Sequence, residues 1–127
     1  MTDKRKELIE RIDKDIFLHI LEYKKVYSKE VTLQNKVIKV LRQLFKEDIW
    51  FSKISDRYNK GIPDIIGCVD GLFFGLELKR ETGKPSGLQV HTINKINKAG
   101  GKACIVRTVE ESMLTIKSML ETSDMQQ

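Results

Sequence analysis

The chain has 127 residues, of which 40% are hydrophobic and 32% are charged, and its formal net charge is +5. A chain of this length can bury one hydrophobic core but not two, and it lacks the roughly 18 to 20 consecutive apolar residues that a membrane-spanning helix requires. We therefore expect a single globular domain over residues 1–127 with no membrane partner.

The basic residues are unevenly distributed along the chain. Residues 1–60 hold 15 Lys and Arg against 10 Asp and Glu, whereas residues 61–127 hold eight of each kind. A basic excess favours an anionic partner. The N-terminus lacks the apolar stretch of a signal peptide, so we expect a cytoplasmic protein. Cys68 and Cys104 lie among apolar residues in predicted strands, which favours buried reduced thiols over a disulfide or a zinc site.

Two helices are predicted in the first third of the chain. Within residues 3–27, apolar side chains recur every three or four positions, which indicates one long amphipathic helix. A second helix is predicted over residues 30–46, with Ser28 as a candidate cap. The apolar stripe of the first helix contains Leu8, Ile9, Ile12, Ile16, Phe17, Ile20 and Leu21.

Three strands are predicted next. The first covers residues 49–54 and leads into a polar, basic loop over residues 55–61. The second and third cover residues 65–69 and 72–80, and Asp70-Gly71 between two apolar runs is a strong hairpin signal.

The remaining chain predicts a helix over residues 88–99, which Gly100-Gly101 ends, and a short apolar strand over residues 102–107 that reads as buried. A closing helix is predicted over residues 109–120, followed by a frayed tail from residue 122. The predicted order is therefore α-α-β-β-β-α-β-α, an α/β fold with a mixed sheet of about four strands flanked by helices.

Charged residues interrupt the third strand, where burial alone does not explain them. Alternate residues of a strand share a face. One face is apolar from Leu72 to Leu78, and the opposite face carries Glu77 and Lys79, with Gly75 leaving space beside them. Taken alone, this pattern also fits a solvated face with a surface ion pair.

Asp64 follows a Gly-x-Pro corner at the start of the second strand, so it can converge with Glu77 on the neighbouring strand. Two carboxylates in one pocket suit Mg²⁺ or Mn²⁺. Lys79 would lie beside such an ion, where it can orient a water or stabilise charge on a phosphoryl oxygen. The chemistry that this pattern favours is phosphodiester hydrolysis.

Pro63-Asp64 followed by Glu77-Leu78-Lys79 resembles the Pro-Asp…(Asp/Glu)-x-Lys nuclease superfamily, and the wider context resembles its virus-type replication-repair nuclease (VRR-NUC) branch. The resemblance covers roughly residues 30–107. It implies a restriction-endonuclease-like core, with residues 1–29 as a helical extension and 108–127 as a C-terminal helix and tail. The supporting segments are residues 61–67, 73–79, 83–89 and Gly100-Gly101.

The resemblance also implies roles for individual residues. Asp64, Glu77 and the backbone carbonyl of Leu78 would hold Mg²⁺, for which Mn²⁺ can substitute, with no small-molecule cofactor. Glu30 would contribute to the metal site directly or through water, although Gln34 could share or take its place. Catalytic roles fall to Asp64, Glu77, Lys79 and Gln89, and Lys53 matches a lysine that the family places near the scissile phosphate. Apart from the resemblance, the basic residues Arg57, Lys60 and Lys84 are candidates for DNA contacts.

The implied activity is a structure-selective DNA endonuclease acting on branched DNA such as Holliday junctions. The implied form is a homodimer, from a bacterial cell or a phage replication and repair module. Two alternatives stay open from the residues: a flap or nonspecific nuclease, and a nucleic-acid-binding module that keeps the fold without catalysis.

Overall fold

The computed structural model describes residues 1–54 and 60–125, and its order of elements confirms the predicted α/β fold. The elements are the helices α1 (Asp3–Leu18), α2 (Ile20–Tyr23), α3 (Glu30–Phe45), α4 (Gly87–Lys98) and α5 (Val109–Met125), and the strands β1 (Ile49–Lys53), β2 (Ile65–Val69), β3 (Leu72–Leu78) and β4 (Lys102–Val106).

The four strands form one mixed sheet in the order β1-β2-β3-β4. Strands β1, β2 and β3 are antiparallel neighbours, and β4 runs parallel to β3. The predicted hairpin turn is present, because Asp70 and Gly71 both have positive φ angles, of 51° and 78°. That geometry matches the twist of the flanking strands. The parallel pairing needs a crossover, which α4 provides.

The hydrophobic core lies between one face of the sheet and the helices α1, α3 and α5. Phe74, Leu76 and Leu78 of β3 are completely buried there, as the alternation of the strand predicted. Helix α4 contacts β3 and β4 from the other side. The sheet therefore has a closed apolar face and a second face that α4 covers only in part.

Strand β4 lies at the edge of the sheet, although its apolar sequence predicted a buried position. Its outer side is occupied by side chains. Asn97 of α4 donates to the carbonyl of Ala103 at 3.0 Å and accepts from its N–H at 2.7 Å. Further along, the backbone N–H of Arg107 donates to the carboxylate of Glu111 at 2.6 Å.

The single long helix predicted over residues 3–27 is wrong, because the chain leaves helical geometry at His19, with φ −127° and ψ 37°. The hydroxyl of Tyr23 donates to the carboxylate of Asp15 across this break. Tyr23 is buried, whereas Phe17 and Leu21, predicted on the apolar stripe, are 81% and 86% exposed. A local polar contact and the burial of Tyr23 therefore override the helical periodicity.

Three smaller expectations also change. Ser28 is not the cap of α3, because Lys29 occupies that position without a side-chain hydrogen bond. Helix α5 continues to Met125, through much of the predicted tail. Cys68 and Cys104 are free thiols, as expected, but they are half-buried.

None of the helices in the described part of the chain is both long and apolar enough to span a bilayer.

We expect Gly67→Ala to destabilise the fold by about 1–3 kcal/mol, the usual cost of overpacking. A Cβ at Gly67 would lie 2.5 Å from the backbone oxygen of Trp50 and 2.7 Å from the ring of Phe74. Urea unfolding should report a lower midpoint. Gly87→Ala is the control, since nothing lies within 4 Å of its Cβ position and alanine favours a helix. Equal midpoints for the two variants would contradict this packing.

Candidate functional site

Asp64, Glu77 and Lys79 meet where β2 and β3 are furthest from their hairpin turn. The pairing of Ile65 with Leu76, continued by one residue, places Asp64 opposite Glu77. Alternation along the strand then puts Glu77 and Lys79 on the same face, and the Lys79 Nζ atom lies 3.7 Å from Glu77 Oε1. The structure thus brings together the three residues that the sequence singled out.

Pro63 ends the pairing of β2 with β3 beside these residues. One further step of the register places Pro63 opposite Leu78, and proline has no N–H to donate to the Leu78 carbonyl. The Leu78 N–H instead donates to Asp64 Oδ2 at 2.9 Å. The proline ring also packs 3.0 Å from the Cβ position of Gly75. The space predicted beside Gly75 is therefore filled, and the Asp64 carboxylate is fixed to β3.

The carboxylate of Glu77 is 1% exposed, so it is not part of a solvated face. Its Oε1 atom accepts a hydrogen bond from Gln89 Nε2 at 2.7 Å. Its Oε2 atom is buried and receives no hydrogen bond from any residue in the described ranges. A buried carboxylate oxygen without a donor is costly, which indicates that a further group belongs at this position.

Burial and the neighbouring charge of Asp64 raise the pKa of Glu77 to about 7, against the opposing effect of Lys79. Burial also raises the pKa of Asp64, although the Leu78 N–H and Lys79 oppose this shift. Two adjacent buried carboxylates repel each other when both are ionised. When no cation is present, burial and the charge of Asp64 therefore favour the protonated form of Glu77 up to about pH 7.

Gln89 reaches Glu77 from the first turn of α4, where it also takes part in the helix cap. The Ser86 N–H donates to Gln89 Oε1 at 2.8 Å, and the Gln89 N–H donates to Ser86 Oγ at 3.2 Å. With its oxygen held by the cap, the Gln89 amide can present only its NH₂ group to Glu77. The Ser-x-x-Gln pattern of this capping box is visible in the sequence. The orientation of the Gln89 amide was not predicted from it.

Glu30 lies in the first turn of α3, close enough to the carboxylate pair for its charge to raise the pKa of both Asp64 and Glu77. Its Oε1 atom is 3.0 Å from the position that a Cβ on Gly83 would take. Gln34, the alternative one turn later, is half-buried. The structure therefore brings Glu30 toward the site, and it places Gln34 in no side-chain hydrogen bond within the described residues.

The predicted DNA-contacting residues are not all on the side of the carboxylates. Lys53 pairs with Ile65 and so lies on the face opposite to Asp64. Lys60 and Lys84 are exposed in the loops before β2 and before α4. Arg57 lies outside the described residues. The structure therefore leaves Lys60 and Lys84 exposed to solvent and places Lys53 away from Asp64.

The donors present fit a divalent cation with a preference for oxygen. Asp64 and Glu77 supply carboxylates, and the Oε2 atom of Glu77 lacks the partner that such an ion would provide. No group of three or more Asp, Glu, His or Cys side chains within residues 1–54 and 60–125 forms a complete cage. Mg²⁺ commonly binds through one or two carboxylates and keeps several waters, so two such ligands are compatible with it.

Comparison with solved structures finds the same fold in a VRR_NUC domain. The two share 22% sequence identity with a TM-score of 0.50, and the match covers 67% of this chain and 91% of that one. No family model and no curated protein matches the sequence. The structural match confirms the fold that the sequence resemblance implied.

We expect the metal-free protein to lose stability relative to Glu77→Gln as the pH rises from about 4.5 to about 7. In this window an unfolded chain has released the Glu77 proton, whereas the folded chain retains it, because its pKa is raised to about 7. Folding is therefore favoured by this group at low pH, and the benefit is lost as the pH rises through 7.

Urea unfolding in the presence of a chelator, at half-unit steps from pH 4.5 to 8, measures this difference. The substitution keeps an oxygen that can accept from Gln89 and removes the titrating proton. Parallel stability curves for the two proteins would show that Glu77 titrates normally.

Proposed function

We propose that the chain is a metal-dependent nuclease that hydrolyses phosphodiester bonds in DNA. The observation that carries this proposal is the juxtaposition of Asp64, Glu77 and Lys79, in which a buried oxygen of Glu77 lacks a donor. The net charge of +5 suits a polyanionic substrate, and the VRR_NUC fold agrees with the proposal.

Asp64, Glu77 and the Leu78 carbonyl are the groups that would hold a Mg²⁺ or Mn²⁺ ion. Pro63 leaves that carbonyl without a ladder donor, and Glu30 adds negative charge close by. When bound, the ion supplies positive charge to the phosphodiester group under attack.

The residues of the chain prepare this site in three ways. The Leu78 N–H fixes the Asp64 carboxylate. The capped amide of Gln89 fixes one oxygen of Glu77 and leaves the other free. Lys79, nearly buried beside Glu77, brings an ammonium group that can orient a water or stabilise charge on a phosphoryl oxygen.

We further propose that the substrate is branched DNA, such as a Holliday junction, and that the enzyme acts as a homodimer. Two sites related by a two-fold axis can cut paired strands at symmetric positions. A chain of 127 residues has little surface for reading sequence, which favours recognition of DNA shape. The resemblance to VRR-NUC proteins supports this proposal, as well as a setting in the cytoplasm of a bacterium or phage-infected cell.

We expect Asp64→Asn and Lys79→Met each to lower cleavage in Mg²⁺ at least about 100-fold, because the first removes a charged metal ligand and the second removes a group that stabilises transition-state charge. Labelled junctions, flaps and duplexes form the substrate panel. Glu10→Gln is the control, because it removes a charge from an exposed position on α1. Preferential cutting of flaps, or equal cutting of all substrates, would replace the branched-DNA proposal by a flap or nonspecific nuclease. Undiminished cutting by Asp64→Asn would contradict the assignment of Asp64 to the catalytic site.

We expect Mn²⁺ to bind the wild-type chain and to bind Asp64→Asn and Glu77→Gln at least about tenfold more weakly, because each variant loses a charged oxygen ligand. Isothermal titration calorimetry measures this without any requirement for catalysis. DNA binding without detectable Mn²⁺ binding or cleavage would instead identify a nucleic-acid-binding module.

A further inference from the structure

Arg107, the first residue after β4, places one nitrogen against three backbone carbonyls. Its Nη1 atom donates to the carbonyl oxygens of Arg80 at 2.8 Å, Glu81 at 3.3 Å and Gly83 at 2.7 Å. These carbonyls belong to residues 80–83, which we call the 80–83 turn. Convergence of three carbonyls on one cation indicates that this cation sets the shape of the turn.

Two backbone hydrogen bonds hold the 80–83 turn from other directions. The Gly83 N–H donates to the Arg80 carbonyl at 3.0 Å, and the Glu81 N–H donates to the Tyr27 carbonyl at 3.1 Å. The Arg107 backbone is itself held by Glu111, at 2.6 Å. The turn is therefore joined to α5 through Arg107 and to the segment before α3 through Tyr27.

The 80–83 turn connects directly to the candidate site at both of its ends. It begins immediately after Lys79, whose N–H donates to the Val106 carbonyl at 3.0 Å. At its other end, Gly83 leaves room for the Glu30 carboxylate, whose Oε1 atom would lie 3.0 Å from a Cβ there. A shift of the turn would therefore move Gly83 relative to the Glu30 carboxylate, and it would loosen the backbone that follows Lys79.

We propose that Arg107 is a positioning residue for the site, acting through the 80–83 turn on Lys79 and Glu30. The effect of Arg107 on cleavage rests on the proposed nuclease function, whereas the contact of Arg107 with the turn does not. Loss of the guanidinium would leave the Glu81 and Gly83 carbonyls without this donor and the Arg80 carbonyl with only the Gly83 N–H, so the turn would relax outward. A lysine ammonium, which has three donors, can replace part of this contact.

The test compares Arg107→Met, which removes every donor, with Arg107→Lys, which keeps a cation. Hydrogen exchange of the Glu81 and Gly83 amides measures the turn directly, and we expect faster exchange in Arg107→Met. We also expect its Mn²⁺ affinity and its kcat to fall about 10- to 100-fold, the range typical of residues that orient metal ligands. KM for DNA should change little, and Arg107→Lys should recover part of each loss.

Arg11→Met is the matched control, because Arg11 also donates to a backbone carbonyl, that of Leu44, and pairs with Glu7 and Asp48. It should lower the melting temperature without changing amide exchange in the turn or Mn²⁺ affinity. If the Glu81 and Gly83 amides of Arg107→Met exchange at the wild-type rate, the proposal that Arg107 holds the turn is overturned. Faster exchange with unchanged Mn²⁺ affinity would overturn the positioning role. Neither outcome depends on cleavage, so each is distinct from a failure of the nuclease proposal.

Discussion

The architecture of the site depends on the burial of one carboxylate. Glu77 sits in the interior of a sheet whose other face is the hydrophobic core, and Asp64 stands beside it. Burying two like charges is unfavourable unless cations or hydrogen-bond donors compensate. Lys79 and the amide of Gln89 compensate in part. The unsatisfied oxygen that remains is the reason to expect a metal ion.

Pro63 and Gly75 shape the site by changing how β2 and β3 pair and pack beside Asp64. Pro63 interrupts the ladder where the strands would otherwise have paired once more, so the backbone of Leu78 turns to Asp64. Its ring then occupies the surface above Gly75, which has no side chain to obstruct it. The Gly-x-Pro corner thus performs two structural tasks, and both bring Asp64 to Glu77 in a fixed orientation.

Local rules in the sequence predicted the parts of the fold that neighbouring residues determine. The hairpin at Asp70-Gly71 and the alternation along β3 are of this kind, and they were sufficient to pair Asp64 with Glu77. Contacts between distant residues were not predictable in the same way. The break at His19 depends on Tyr23 and Asp15. The position of Lys53 depends on a strand register that no local signal fixes, and Arg107 binds carbonyls 24 to 27 residues earlier in the chain.

The side chain of Asn97 occupies part of the outer edge of β4. Its side-chain amide imitates one residue of a fifth strand, exchanging with Ala103 the two hydrogen bonds that a real neighbour would form. A side chain cannot continue this pattern, and Glu111 interrupts it again at Arg107. Exposed strand edges invite other chains to add to a sheet. Side chains thus occupy the β4 edge at Ala103 and Arg107, which hinders the addition of a strand from another molecule at these two positions.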